Sequence, residues 1–183
     1  MGGRATRIRR FGNRCLRRSV RPVDPAAPAT RELLDSLWAT LVRDGGVGLA
    51  APQIDRDARV VVVTDPDRPR SRQRIELVNP VIRETFGPMV PFEEGCLSFP
   101  GLYIQVWRPQ GVVVAHQGQE GARVLREEGL AARIIQHEVD HLDGVLFIDH
   151  ISFLRRLMLV PRLLGYAVTE TVLKIFGKER DGA

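Results

Sequence analysis

Two histidines four residues apart, with a glutamate directly after the first, constrain this chain more than any other feature: Gln136-His-Glu-Val-Asp-His141. Leu130, Ile134, His137 and His141 are spaced four, three and four residues apart, so on a helix they share one stripe. A helix that turns its histidines inward with its apolar residues must be central to the fold. Two imidazoles at positions i and i+4 can converge on one metal ion, with Glu138 beside it. The competing reading is a buried helix with two satisfied core histidines and a surface glutamate. Choosing between them needs a third ligand.

The helical period begins at Glu127, and what precedes it reads mostly as β-structure. Thr30 is placed to cap a helix carrying Leu33, Leu34, Leu37, Trp38, Leu41 and Val42, which Gly45 and Gly46 end. Arg59-Val-Val-Val-Val-Thr64 reads as a buried strand, and Ile75 to Asn79, Gly101 to Trp107 and Gly111 to His116 as further strands of a meander. Ile151 to Leu164 and Ala167 to Phe176 form a helical stretch interrupted at Pro161 and Gly165, with Val168, Val172, Ile175 and Phe176 on one apolar face. The expected class is α+β: small, mainly antiparallel sheets packed around the central helix, with an N-terminal helix and a C-terminal helical segment. At 183 residues a single domain is expected.

Only two cysteines, Cys15 and Cys96, are present, a poor disulfide framework that points to metal chemistry in a reducing compartment, the cytoplasm. Net charge is +5, carried almost wholly by arginine, which favours anionic surroundings such as RNA. The basic, acid-poor start has the composition of a transit peptide, but Ile8 to Arg18 read as part of the domain. The most apolar stretch, Leu157 to Phe176, contains Arg162, Glu170, Lys174 and Pro161, so no membrane span is expected.

The third ligand is offered by Cys96 in Glu93-Glu-Gly-Cys-Leu-Ser98, otherwise an ordinary small buried residue. Gly46-Val-Gly-Leu-Ala-Ala-Pro-Gln53, Glu94-Gly-Cys-Leu-Ser98 and His137-Glu-Val-Asp-His141 resemble the three signature motifs of the peptide deformylase family, in its order and near its spacing. The resemblance runs from Ile8 to Ser152, including Pro100-Gly101 and Leu142 to Asp149. It leaves residues 1–7 as a basic tail and 153–183 as a divergent helical extension of one catalytic domain.

This resemblance implies a metal-dependent hydrolase that removes the N-formyl group from the N-terminal methionine of new polypeptides and releases formate. Cys96, His137 and His141 would hold one divalent ion, with a water as fourth ligand that attacks the formyl carbon. Fe(II) is the expected ion; Zn(II), Ni(II) and Co(II) suit the same donors. Glu138 would act as general base and acid, and the Gln53 amide and the Leu97 backbone N–H would stabilise the oxyanion. Val47, Phe92, Leu130 and Ile134 match the pocket for the methionine side chain, while Gly46 and Gly48 allow a substrate backbone to approach an edge. Arg108 matches a structural arginine whose acidic partner is replaced here by Gly45, leaving Asp44 as the candidate. Asp140 and His150 are not expected to be catalytic.

N-formylmethionyl nascent peptides are the expected partners, with the ribosome engaged through the basic N-terminus and Arg155, Arg156, Arg162, Lys174, Lys178 and Arg180; no DNA is expected. The alternatives are an HExxH protease, a specialised amidase or deacylase on a non-ribosomal substrate, or a non-catalytic metal-binding, ribosome-associated protein. A downstream Glu or His ligand would favour the protease, and loss of Glu138 the non-catalytic protein.

Overall fold

A computed structural model of the chain describes residues 3–66, 73–118 and 120–176, the side chains of 172–176 excepted. Its elements are α1 (Pro28–Asp44), β1 (Gly48–Ala50), β2 (Val60–Thr64), β3 (Arg74–Cys96), β4 (Phe99–Gly118), β5 (Gly121–Glu128), α2 (Gly129–Leu142) and α3 (Phe153–Phe176), with 3-10 turns at Arg14–Arg17, Ala51–Ile54 and Phe147–His150. The five strands form one antiparallel sheet in the order β1-β2-β3-β4-β5. The class is α+β, as expected.

The valine run of β2 explains why the sheet is covered on both faces. Val60 to Val63 are all buried, and alternate side chains of a strand point to opposite faces. Val61 and Val63 pack with Ala132, Ile135, Val139 and Leu142 of α2, while Val60 and Val62 pack with Leu34, Leu37, Trp38 and Leu41 of α1. A third cluster joins Phe99, Leu102 and Val106 of β4 to Leu16, Phe147 and Leu163. The N-terminal segment belongs to this body: Arg9 N donates to Gln53 O and Phe11 N to Ser98 O.

Several boundaries differ from expectation. α1 starts at Pro28 with Ala27 as its N-cap, and the Thr30 hydroxyl donates instead to Asp24 O, 2.6 Å away. Proline at the first helical position loses no intrahelical bond, which lets the helix begin early. Gly101 to Trp107 and Gly111 to His116 are halves of one strand, and β3 runs on past Asn79 to Cys96. Pro80 and Pro88 fall inside register shifts of the β3–β4 ribbon, where a residue without N–H costs no ladder bond. Glu127 and Glu128 belong to β5, so α2 begins at Gly129.

The C-terminal stretch is one helix through Pro161 and Gly165. Pro161 and Leu157 are both exposed, so the carbonyl that lacks a proline N–H partner can turn to water. Val168 is exposed; the side chains of Val172, Ile175 and Phe176 lie outside the described residues. Among the described residues no helix is long and apolar enough to cross a membrane.

Candidate active site

The β3–β4 hairpin and helix α2 bring together residues more than forty positions apart. Cys96 pairs with Phe99 at the hairpin tip, leaving Leu97 and Ser98 as the turn. Its Sγ lies 3.3 Å from His141 Nε2, and the ligand atoms of Cys96, His137 and His141 all fall within 4.8 Å of one another. Both histidines are buried, as the stripe required.

Glu94 controls the orientation of His137. Its Oε2 is 3.0 Å from His137 Nδ1, which leaves Nε2 for the centre of the triad. Arg108 donates to both carboxylate oxygens, at 2.7 and 3.1 Å, and Arg133 Nη1 to Oε1 at 3.0 Å. Burial alone would raise the Glu94 carboxyl; the hydrogen bonds from His137 and Arg108, with the charge of Arg108, outweigh it and hold the group far below the usual carboxylate range. Arg108 also donates to Asp140 Oδ2, which His150 Nε2 approaches to 2.7 Å. The acidic partners of Arg108 are therefore Glu94 and Asp140, not Asp44, whose carboxylate takes Arg43. Gly45 caps α1 in the left-handed conformation, φ 68°, where glycine fits without strain.

Glu138 is 3% exposed, and its Oε2 is buried without a hydrogen-bond partner. Burial pushes its carboxyl up to about 7, with His137 opposing and Glu94 reinforcing the shift. His141 Nδ1 is likewise unpartnered. Burial would lower His137, yet Cys96 and Glu94 around it draw it well above its ordinary value. Burial and the charge of His137 hold His141 well below its ordinary value, which leaves its ring a lone-pair donor, and one sulfur and two nitrogens converging within 4.8 Å suit a tetrahedral divalent ion with one position open. The donor set fits a catalytic metal.

Gln53 lies in the 3-10 turn after β1, where its Oε1 accepts Ala50 N at 2.8 Å. That bond turns Nε2 towards the site, 3.5 Å from Cys96 Sγ and 3.2 Å from Ser98 Oγ. Gly48 faces inward: an added Cβ would lie 2.5 Å from Glu138 Oε1 and 2.7 Å from Ile134, so the close neighbour it admits is α2 itself. Gly46 similarly admits Leu97 and Leu41.

A cleft of about 430 Å3 opens over these groups. Val47, Gly48, Phe92, Leu130 and Ile134 all line it, as do Gln53, Cys96, Leu97, His137 and Glu138. The roles of Glu94 and Arg133 escaped the sequence reading. The available signal was a carboxylate two residues before a cysteine ligand, in a chain with two inward histidines that each need orienting.

A Cys/His/His donor set with both histidines buried, beside a buried carboxylate oxygen without a partner, in a largely apolar cleft of an α+β body, defines a metal-dependent hydrolase. The polypeptide deformylase family model matches residues 5–157, and the chain belongs to that family. Its activity is removal of the N-formyl group from newly made polypeptides. A peptide deformylase of Gloeobacter violaceus is 36% identical over 170 residues, covering 91% of this chain and 90% of the relative. The crystal structure of the Thermus thermophilus peptide deformylase superposes with a TM-score of 0.81 at 37% identity, covering 91% of this chain and 99% of that one. The Acinetobacter baumannii enzyme with Met-Ala-Ser bound gives 0.74 at 35% identity, covering 80% and 98%.

Proposed function

We propose that deformylation here uses Cys96, His137 and His141 to hold one divalent ion, Glu138 as general base and acid, and Gln53 with the Leu97 N–H as oxyanion donors. The observation that carries this reading is the unpartnered Oε2 of Glu138, buried beside the donor triad. Bound there, the ion would supply Lewis acidity, polarising a carbonyl and acidifying water. Fe(II) is our choice, and the same donors accept Zn(II), Ni(II) or Co(II).

A carboxyl near 7 can both take and return a proton at neutral pH, which suits a group that receives one from the nucleophile and gives one to the leaving amine. The Gln53 amide is held by Ala50 N before any substrate arrives, so its Nε2 is already aimed at the site and has only to exchange its long contact with Cys96 Sγ for developing negative charge. The methionine side chain would enter between Val47, Phe92, Leu130 and Ile134, with the peptide added along β1, which is an edge of the sheet. Met-Ala-Ser in the Acinetobacter baumannii relative is a peptide of this kind. We read 1–183 as one catalytic domain ending in a helical extension, working in the cytoplasm, where the free thiols Cys15 and Cys96 would stay reduced.

Among the described residues the triad uses the upstream Cys96 and no downstream ligand, which disfavours an HExxH protease, and the intact Glu138 disfavours a retired enzyme. Ribosome docking through the basic termini has less support. Arg7 is paired with Glu170 and Arg156 with Asp149, the side chain of Lys174 is not described, and Lys178 and Arg180 lie outside the described residues.

The test is formate release from formyl-Met-Ala-Ser by anaerobically prepared, Fe(II)-loaded protein, beside Glu138→Gln and an acetylated peptide. Release that falls by at least about 100-fold in the variant, with its metal retained, is expected. No formate despite one ion per chain would overturn the proposal.

A further inference from the structure

The side of α3 turned away from the body has no polar cover. Leu163 and Glu170 are buried, and Leu159 and Tyr166 pack against the cluster around Phe99. On the opposite side Phe153, Leu154, Leu157, Met158, Leu164 and Val168 are each more than half exposed, with Met158 reaching 81%. Their spacing places them with Pro161 on one continuous stripe, about 22 Å long from Phe153 to Val168. Soluble monomers rarely expose contiguous apolar patches beyond a few hundred Å2.

Charge says what covers it. The one carboxylate on α3 is Glu170, which is buried and accepts from Arg7, Arg10 N and Asn13. Arg155 and Arg162 are exposed along one margin of the stripe. A second copy of this chain meeting the stripe about a twofold axis would set arginine margin against arginine margin, with no exposed carboxylate of the helix to answer them. Apart from Met1 and the side chains of 172–176, the undescribed residues include no large apolar side chain. An apolar stripe edged by arginines, on a helix lying flat against its domain, matches a bilayer surface with anionic headgroups.

We propose that α3 docks this protein on anionic lipid membranes, lying in the interface with its apolar stripe among the acyl chains and Arg155 and Arg162 on the headgroup phosphates. The helix also borders the cleft. Arg162 Nη2 donates to Gly101 O and Tyr166 Oη to Pro100 O, and Pro100 and Gly101 line the cleft wall. Docking would therefore hold the cleft close to the membrane plane.

The full chain should float with vesicles of phosphatidylglycerol and phosphatidylcholine in a one-to-two ratio, less as salt rises, and only weakly with phosphatidylcholine alone. Leu157→Glu with Leu164→Glu should cut flotation at least ten-fold while formate release in solution is unchanged. Arg155→Gln and Arg162→Gln should each cost about five-fold on the anionic vesicles. No flotation with anionic vesicles, or variants that float as well as the unaltered chain, would overturn the proposal. So would a concentration-dependent dimer, or binding to purified ribosomes, that the leucine variants abolish while vesicles go unbound.

Discussion

Glu138, with one oxygen unpartnered in the core, makes the metal-free protein sensitive to pH in a predictable direction. Between its ordinary value of 4.5 and about 7, the unfolded chain releases this proton while the folded chain keeps it, so folding stability falls as pH rises through that window. Glutamine removes the penalty. Metal-free Glu138→Gln is expected to unfold at higher temperature than the unaltered protein at pH 8, by a stability difference on the order of 2–3 kcal/mol that shrinks as pH falls towards 4.5. Thermal unfolding of the chelated protein across that range checks it; equal melting temperatures at pH 8 would contradict the buried, proton-holding carboxyl. Glu94 is the opposite case. Its depressed carboxyl contributes stability that is fully present above the ordinary value and lost only as pH drops far below it. Glu94→Gln leaves two arginines short of a charge and His137 with a weaker acceptor, so ion affinity by chelator competition is expected to fall about 10–100-fold.

At the scale of elements, the approach of β1 to α2 sets the position of Glu138. Gly48→Ala forces a methyl group to within 2.5 Å of Glu138 Oε1 unless the strand or the helix gives way. The variant is expected to keep its metal, lose about 1–3 kcal/mol of stability and drop in kcat, measured by metal content, unfolding and formate release on one preparation. Such a contact joins residues ninety positions apart and has no signature in the sequence, where Gly48 reads as room for substrate. What was legible was what local rules govern: the inward histidine stripe of α2, the valine run of β2 and the apolar period of α1. The ribbon from Val81 to Glu93 was not, because it is largely solvent-exposed and Pro88 and Pro91 look like turns until the partner strand shows the first inside a register shift and the second paired with Trp107. Pro161 misled for a related reason, since a proline facing water bends a helix more readily than it ends one. Glu94 and Arg133 became visible only once the hairpin lay across α2, because a buried carboxylate is interpretable through its partners.

For the whole molecule, Glu170 fastens the two ends. It accepts from Asn13 Nδ2 at 3.0 Å, Arg7 Nη2 at 3.2 Å and Arg10 N at 3.4 Å, and it is 1% exposed. Glu170→Ala strands the buried Asn13 amide and releases the half-buried Arg7 and Arg10 donors, and is expected to cost about 1–3 kcal/mol, with faster hydrogen exchange in both the N-terminal segment and α3. Loss confined to α3 would show that the bonds to Gln53, Ser98 and α1 hold the N-terminal segment without Glu170. The clasp also bears on how this protein is born. Synthesis delivers the N-terminal segment first, then Gln53, then Cys96, then the histidines, and after them the helix that Glu170 anchors. The N-terminal segment can therefore meet Gln53, Ser98 and α1 early, but its bonds to Glu170 must wait until α3 has cleared the tunnel of the ribosome making it. A chain arrested before α3 would carry Gln53, Cys96, His137, Glu138 and His141 while Arg7, Arg10 and Asn13 still lacked the carboxylate that gathers them.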